Sequence, residues 1–230
     1  MNVLNQTLAS TFELMLTVNK NNPVVAEIDI FPVEAEQQQS LVDKLIEDIK
    51  TVFKQQPGFV AAAVHRSRDG QRVVNYVQWK SQKDYESYVN GEVPLISSRL
   101  CAFPAPNSRL YEIFISEPSD SEMTISKNTD GLINFGIFKL RNPQDQPSFL
   151  EATKKAVQLV TGQPGLVTTH FHRSLDGAMA VNYGLWSSHE DYVAMNANPP
   201  FAEPLLEMRR LADNEFQMSL YEIVFTVPAD

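Results

Sequence analysis

The sequence predicts an α+β protein made of two copies of one β-α-β-β-α-β unit, packed sheet against sheet within a single chain. Three observations carry that reading. Residues 57–79, PGFVAAAVHRSRDGQRVVNYVQW, and residues 164–186, PGLVTTHFHRSLDGAMAVNYGLW, match at 12 of 23 positions without a gap, at a constant offset of 107 (164 − 57). A fixed-offset repeat of that length marks one structural unit used twice. Each copy sets an Asp-Gly pair (Asp69-Gly70, Asp176-Gly177) between two alternating apolar runs, the signal for a β-hairpin with a type I′ turn, both of whose central residues need φ > 0. A run of helical period precedes each hairpin, and shorter helical pieces and a strand follow it. That order is the ferredoxin-like split βαβ arrangement, a four-stranded antiparallel sheet with helices on one face. Its other face needs a cover, and two units in one chain supply it as an intrachain pseudo-dimeric α/β barrel.

In chain order, residues 1–22 have no counterpart ahead of the second copy and read as an N-terminal extension, an arm or extra strand. PVVAEIDIFPV (23–33) alternates and is the first strand. Within 36–56, Leu41, Val42, Leu45, Ile46, Ile49, Val52 and Phe53 recur at i, i+3, i+4, i+7 spacing, which predicts a helix stopped by Pro57-Gly58. The hairpin supplies strands two and three. SQKDYESYV (81–89) begins with a Ser suited to capping, and PLISSRL (94–100) with a proline tolerated in a first turn. RLYEIFIS (109–116) closes the unit. The polar stretch 117–131, rich in turn formers, reads as the linker. The pattern then recurs as strand 133–140, helix 147–163 ended by Pro164-Gly165, the second hairpin, helices 189–198 and 204–213, and strand 216–227. Domain bounds follow: extension 1–22, first unit 23–117, linker 118–131, second unit 132–230. Tyr111-Glu112 and Tyr221-Glu222 stand 110 apart, so the second copy carries three extra residues, placed near Asn198-Pro199-Pro200.

Composition narrows the function classes. The chain has 230 residues, 43% hydrophobic and 20% charged, with net charge −9. Its 19 Lys and Arg are scattered, with no basic patch interleaved with aromatics, so nucleic acid is not an expected partner. One cysteine, Cys101, excludes an intrachain disulfide and a Cys-based zinc site, and fits a reducing cytoplasm. The N-terminus lacks a basic region ahead of its apolar part, no signal peptide is read, and no apolar run has the length of a membrane span. GxGxxG, Walker-type GK[ST], GxSxG and a Cys/His nucleophile arrangement are all absent.

Side-chain alternation sorts the candidates. Asn75 and Trp79 share one strand face, opposite Tyr76 and Gln78; Asn182 and Trp186 do the same, opposite Tyr183 and Leu185. Asn is depleted in mid-strand, and its recurrence at one offset favours a site over a structural amide. Trp79 and Trp186 are the only tryptophans; a core role and a site role both stay open, as they do for Tyr85 and Tyr192. His65 and His172 lie near the hairpin turns, where solvent-facing or turn-bonding histidines are common. His170 and His172 share a face as metal ligands can, but no third ligand is apparent and Ala63 stands at the partner position of 170. No metal site is therefore expected. The acidic residues scattered over the helices read as solvated faces.

The pattern PGF-x₅-HRS-x-DG-x₄-NYxxW with a following helical Tyr resembles the antibiotic biosynthesis monooxygenase (ABM) domains of the dimeric α/β-barrel superfamily. The resemblance covers roughly residues 23–117 and 132–228. It implies a cofactor-independent monooxygenase that oxidises an anthrone-type or hydroquinone-type aromatic with O₂ as co-substrate, in antibiotic or polyketide biosynthesis, within a pocket between sheet and helices. Family members are usually single domains that dimerise; here two look fused, with further homo-oligomerisation left open. Carried over by residue, the resemblance implies site roles for Asn75, Trp79, Tyr85, His65 and Arg99 in one pocket, and for Asn182, Trp186, Tyr192, His172 and Arg209 in the other. The Asn and Trp would donate hydrogen bonds to substrate or reduced oxygen, the Tyr and Arg would hold it, and the His would accept a proton. The contrasting reading is a non-enzymatic small-molecule-binding or interaction module on the same fold. Haem degradation, known for related barrels, requires a helical histidine poised for iron, and only His189, at a helix start in one copy, is a candidate.

Overall fold

A computed structural model describes residues 15–91, 100–214 and 220–228. Its centre is an eight-stranded antiparallel barrel. The strands are β2 (Val25–Pro32), β3 (Phe59–Ser67), β4 (Arg72–Trp79), β5 (Asn107–Glu117), β7 (Leu132–Leu140), β8 (Leu166–Ser174), β9 (Met179–Trp186) and β11 (Leu220–Pro228). They follow one another around the barrel as β7-β11-β3-β4-β2-β5-β8-β9, and β9 pairs with β7 to close it. A short strand, β10 (Ala212–Asn214), adds to β7. The helices α1 (Gln38–Thr51), α2 (Gln82–Gly91), α3 (Gln146–Val160), α4 (His189–Asn196) and α5 (Pro199–Leu211) lie outside. The chain is thus an α+β protein with an antiparallel barrel and helices.

Both faces of the strands are covered, which explains their near-continuous burial. Ile28, Ile30, Ala63, Val74, Tyr76, Phe135, Tyr183 and Tyr221 fill the barrel interior. On the other face of β2–β4, Phe31, Val64, Val73, Val77 and Trp79 pack against Leu41, Leu45 and Ile49 of α1 and Tyr88 of α2. Phe149, Ala152 and Ala156 of α3 and Met208 of α5 cover the second half in the same way, over Phe138 and Phe171.

The structure amends several expectations. The turns are longer than type I′. Four residues separate β3 from β4, Gly70 has φ 78°, and no non-glycine residue has positive φ among the described residues. The reason is the Asp69 carboxylate, which accepts hydrogen bonds from Gln71 N–H (3.0 Å) and Ser67 Oγ–H (2.6 Å) and shapes the wider turn itself. Both long helices stop well before the Pro-Gly pairs, at Thr51 and Val160; Gly58 and Gly165 serve instead as positive-φ entries to β3 and β8. Helix α5 begins at Pro199 rather than 204, with Pro204 inside it. The supposed linker holds a strand, β6 (Glu122–Ile125), which pairs with β1 (Leu16–Asn19) of the N-terminal extension. Leu16, Val18, Met123 and Ile125 of this ribbon pack into the barrel interior, and Gln78 Nε2 donates to Thr17 O (2.8 Å). The predicted helix 94–100 lies outside the described residues except for Leu100.

Candidate active site

Strand phase decides what faces the helices. In register, β2 and β4 pair Asp29 with Asn75 and Glu27 with Val77, while β2 and β5 pair Asp29 with Ser108. Asn75, Asp29 and Ser108 therefore form one cross-strand row, with Glu27 and Trp79 beside it on the helix-covered face. The row lines a cavity of about 360 Å³ between the sheet, α1, α2 and the segment before β5. Phe31, Leu45, Phe53, Tyr85, Tyr88 and Phe103 form much of its wall. Its volume falls in the roughly 300–1,000 Å³ range of small-molecule sites, and the lining has their usual character, apolar and aromatic with a few convergent polar groups.

Those polar groups are tied together. Trp79 Nε1 donates to Glu27 Oε2 (3.1 Å). Asn75 Nδ2 donates to Asp29 Oδ2 (3.0 Å), and Ser108 Oγ donates to Asp29 Oδ1. A carboxylate only accepts, so it draws the NH₂ side of the Asn75 amide. That leaves Asn75 Oδ1 buried without a hydrogen-bond partner. Tyr88 stacks on Trp79 at 4.9 Å between ring centroids, and Tyr85 meets it edge-on at 6.1 Å.

Burial, and then the neighbouring Asp29, hold the Glu27 carboxyl well above the usual range, against the pull of the Trp79 N–H. Burial raises Asp29 as well, while the donors Ser108 and Asn75 draw it back down. Burial followed by these two acids pushes the phenols of Tyr85 and Tyr88 up, so both stay protonated donors. No lysine or arginine among the described residues lines the cavity.

The same face of the second half is built differently. Trp186 Nε1 donates to Asn134 Oδ1 (3.0 Å), with Asn134 where Glu27 stands at the repeat offset (27 + 107). Position 136, the counterpart of Asp29, is Gly136. Asn182 Oδ1 accepts from Thr169 Oγ. Tyr192 is buried 5.4 Å from Trp186, and burial pushes its phenol up to about 12. Leu205, Met208, Met195 and Phe171 close in, leaving about 40 Å³, room for a water but not for an aromatic ring.

Of the sequence-predicted site residues, the fold brings Asn75 and Tyr85 to the wall of one pocket, with Trp79 fully buried behind it against Tyr85, Tyr88 and Glu27, and Asn182, Trp186 and Tyr192 to the other. It places the histidines elsewhere. His65 pairs in register with Val74, and Val64 with Asn75, so His65 points into the barrel on the face opposite Asn75. There it meets Tyr183 Oη at Nε2 (2.7 Å), and His172 Nε2 meets Tyr76 Oη (3.1 Å). Burial pushes both imidazoles down to about 3. They are neutral core groups of the barrel and do not reach either pocket, which corrects the expectation that they accept a proton from substrate. Arg209 is corrected too: it lies on the exposed side of α5, whose Leu205 and Met208 face the pocket instead. Arg99 lies outside the described residues. His189, the residue considered for haem, is exposed at the start of α4. Among the described residues no group of three or more His, Cys, Asp or Glu is placed to hold a metal, and no helix is long and apolar enough to cross a membrane.

Glu27 and Asp29 are the site residues that sequence reading missed. Their alternation with Ala26, Ile28 and Ile30 reads as a half-solvated strand, yet α1 and α2 bury that polar phase. The available signal was the repeat, which sets Asn134 and Gly136 opposite them.

Comparison with known proteins places the chain beside monooxygenases and monooxygenase-like folds. Residues 23–93 match the family model described as antibiotic biosynthesis monooxygenase, ABM. The chain is 37% identical over 73 residues to tetracenomycin-F1 monooxygenase of Streptomyces glaucescens; the match spans 32% of this chain and 65%, just under two thirds, of that protein's length. The fold is similar to the crystal structure of an anthrone oxidase-like protein (TM-score 0.77, 17% identity, 93% of this chain and 97% of that one). It is also similar to that of a candidate monooxygenase of Fusobacterium nucleatum subsp. nucleatum (TM-score 0.59, 10% identity, 90% and 95%). The stretch that matches the ABM family model, residues 23–93, carries Glu27, Asp29, Asn75, Trp79 and Tyr85.

Proposed function

We propose that the chain is a cofactor-independent monooxygenase that oxidises an electron-rich phenolic aromatic of the anthrone or hydroquinone type with O₂, and that the work is done in the first pocket. The observation that carries this reading is a cavity of about 360 Å³, walled by aromatic rings, with the Asn75–Asp29–Ser108 row and Glu27 at its floor. A deprotonated anthrone reduces O₂ by itself. The protein need supply only a dry, shaped site, a place for the proton and donors for the developing anion. The match of residues 23–93 to the ABM family model and the activity named for the Streptomyces relative support the same class.

The architectural side of the proposal is that residues 23–117 and 132–230 are two fused ferredoxin-like units. Around the barrel the first supplies β3-β4-β2-β5 and the second β8-β9-β7-β11, the same order under the repeat, as a pseudo-dimer would give. The second unit then covers the bare face of the first sheet, while its own pocket is filled by side chains.

Oxygen uptake with a panel of anthrones and hydroquinones, without added metal, flavin or haem, tests the activity. Turnover of at least one anthrone to its quinone is expected. Trp79→Phe, which removes the donor to Glu27, should lower kcat/KM about tenfold or more, whereas Trp186→Phe should leave it within about twofold. Tight binding of the same compounds with no oxygen consumption would instead favour a binding module.

A further inference from the structure

We infer that Glu27 and Asp29 are the proton-transfer pair of the first pocket, Asp29 accepting the substrate proton and Glu27 supplying one to the reduced oxygen. This rests on the oxygenase reading above and adds to it the groups that move protons.

The geometry starts from strand period two. Positions 27 and 29 of β2 project from one face, two residues apart, into the cavity beneath α1 and α2. Both side chains are almost fully buried. Two carboxylates so placed cannot both ionise without strong mutual repulsion, so the pair holds one proton over a wide range of pH. Its location follows from the donors. Asp29 receives two hydrogen bonds, from Asn75 and Ser108, and Glu27 one, from Trp79. Donors favour the charged form of the group they face, so Asp29 is the base and Glu27 the acid. Among the described residues, the other titratable groups around the pair include the phenols of Tyr85 and Tyr88 on α2, the Asp48 carboxyl of α1, which acts on Tyr88, the phenol of Tyr111 on β5, which feels Asp29, and Cys101 in the lining.

An independent feature marks where a ligand sits. Asn75 Oδ1, wholly buried and on the cavity wall, lacks a partner because its amide NH₂ is committed to Asp29. A buried acceptor left open is destabilising. A substrate hydroxyl donating to it would satisfy it and set the adjacent ring carbon beside Asp29.

For an anthrone the steps balance as follows. Asp29 takes a proton from the CH₂ carbon. The carbanion passes one electron to O₂, and the resulting radical and superoxide join through a new C–O bond. The peroxide anion takes the Glu27 proton. The Glu27 carboxylate then removes the second C–H proton while the O–O bond breaks. The departing hydroxide takes the proton from Asp29 and leaves as water. The carbon ends as C=O, O₂ is the only oxidant, and both acids return to their starting states.

The experiment compares wild type with the isosteric Asp29→Asn and Glu27→Gln, each checked for folding by circular dichroism. It reads steady-state oxidation of the best anthrone across pH and the affinity and spectrum of a bound hydroxyanthraquinone, whose phenol reddens on ionising. Asp29→Asn should lower kcat by about a hundredfold or more, with hydroxyanthraquinone affinity unchanged within about threefold. Its deficit should narrow toward alkaline pH, where solvent hydroxide replaces the lost base, a trend that a purely structural defect would not produce. Glu27→Gln should lower kcat by about tenfold. If wild type turns over and Asp29→Asn keeps more than about a fifth of kcat at neutral pH, the pair is not the base and the oxygenase reading still stands. If wild type consumes no oxygen, the oxygenase reading fails. The pair is then judged by the bound spectrum: a red shift present in wild type and lost in Asp29→Asn supports it, and identical spectra overturn it.

Discussion

The two pockets are related by a 107-residue offset and share the Asn–Trp–Tyr set, yet one is an open acidic cavity and the other is closed and neutral. Their difference separates what the fold needs from what chemistry needs. Each buried tryptophan N–H requires an acceptor. In the second pocket the neutral Asn134 serves, at 3.0 Å. In the first pocket Glu27 serves at 3.1 Å, although burying a carboxylate is far more expensive than burying an amide. The position after next tells the same story: Gly136 shows that the strand needs no side chain there, while β2 carries Asp29. The acids are therefore not explained by folding. A buried acid pair that the fold does not require is a candidate functional site.

The largest expected effect probes why the second pocket is shut. Met208 of α5 is buried against it. Met208→Ala should enlarge the cavity and cost about 2–5 kcal/mol of stability, read from chemical denaturation. It should add no oxidation, because Asn134 and Gly136 cannot accept a proton. Placed on the Asp29→Asn background it should restore no activity. Any recovery there would mean that space, and not the acid pair, distinguishes the two halves.

A smaller effect separates the tryptophans by the kind of damage they suffer. Trp186→Phe leaves Asn134 Oδ1 buried with its donor gone, so stability should fall by about 1–3 kcal/mol with little change in rate. Trp79→Phe should lose stability too, but chiefly activity, since the donor it removes faces Glu27. Equal kinetic penalties for the two would show that both pockets turn over.

How much of this was legible beforehand depended on whether the information was local. Strands, long helices and hairpins follow from period two, period 3.6 and the Asp-Gly pairs, and the repeat picked out Asn75, Trp79 and Tyr85 with their counterparts. The pairing of β6 with β1 joins residues over a hundred apart, and four-residue strands leave no periodic trace. The histidine placement was within reach, since pairing Val64 with Asn75 fixes His65 on the barrel face; the register, however, is known only once the hairpin loop length is known. Glu27 and Asp29 were overlooked for a different reason. The repeat points to what recurs, and the proposed acid pair stands where it does not.

The smallest expected effect is thermal, and it reads the acids without any substrate. Glu27 has a carboxyl raised by burial and by Asp29. A group whose folded pKa is raised contributes its stability below the unfolded value, near 4.3 for Glu, and that contribution is lost as pH rises through the folded value. Glu27→Gln keeps the shape and an acceptor for the Trp79 N–H but never ionises. At pH 4 variant and wild type should melt together; toward pH 8 the variant should melt a few degrees higher, because only in wild type does unfolding release a carboxyl to ionise freely in water. Asn134→Glu makes the reciprocal change, adding a carboxyl at the matching place in the closed pocket. It should melt near wild type at pH 4 and progressively lower toward pH 8. If Glu27→Gln instead lowers the melting temperature at pH 8, Glu27 is a stabilising ion of the first unit, and the difference between the pockets reflects folding rather than catalysis.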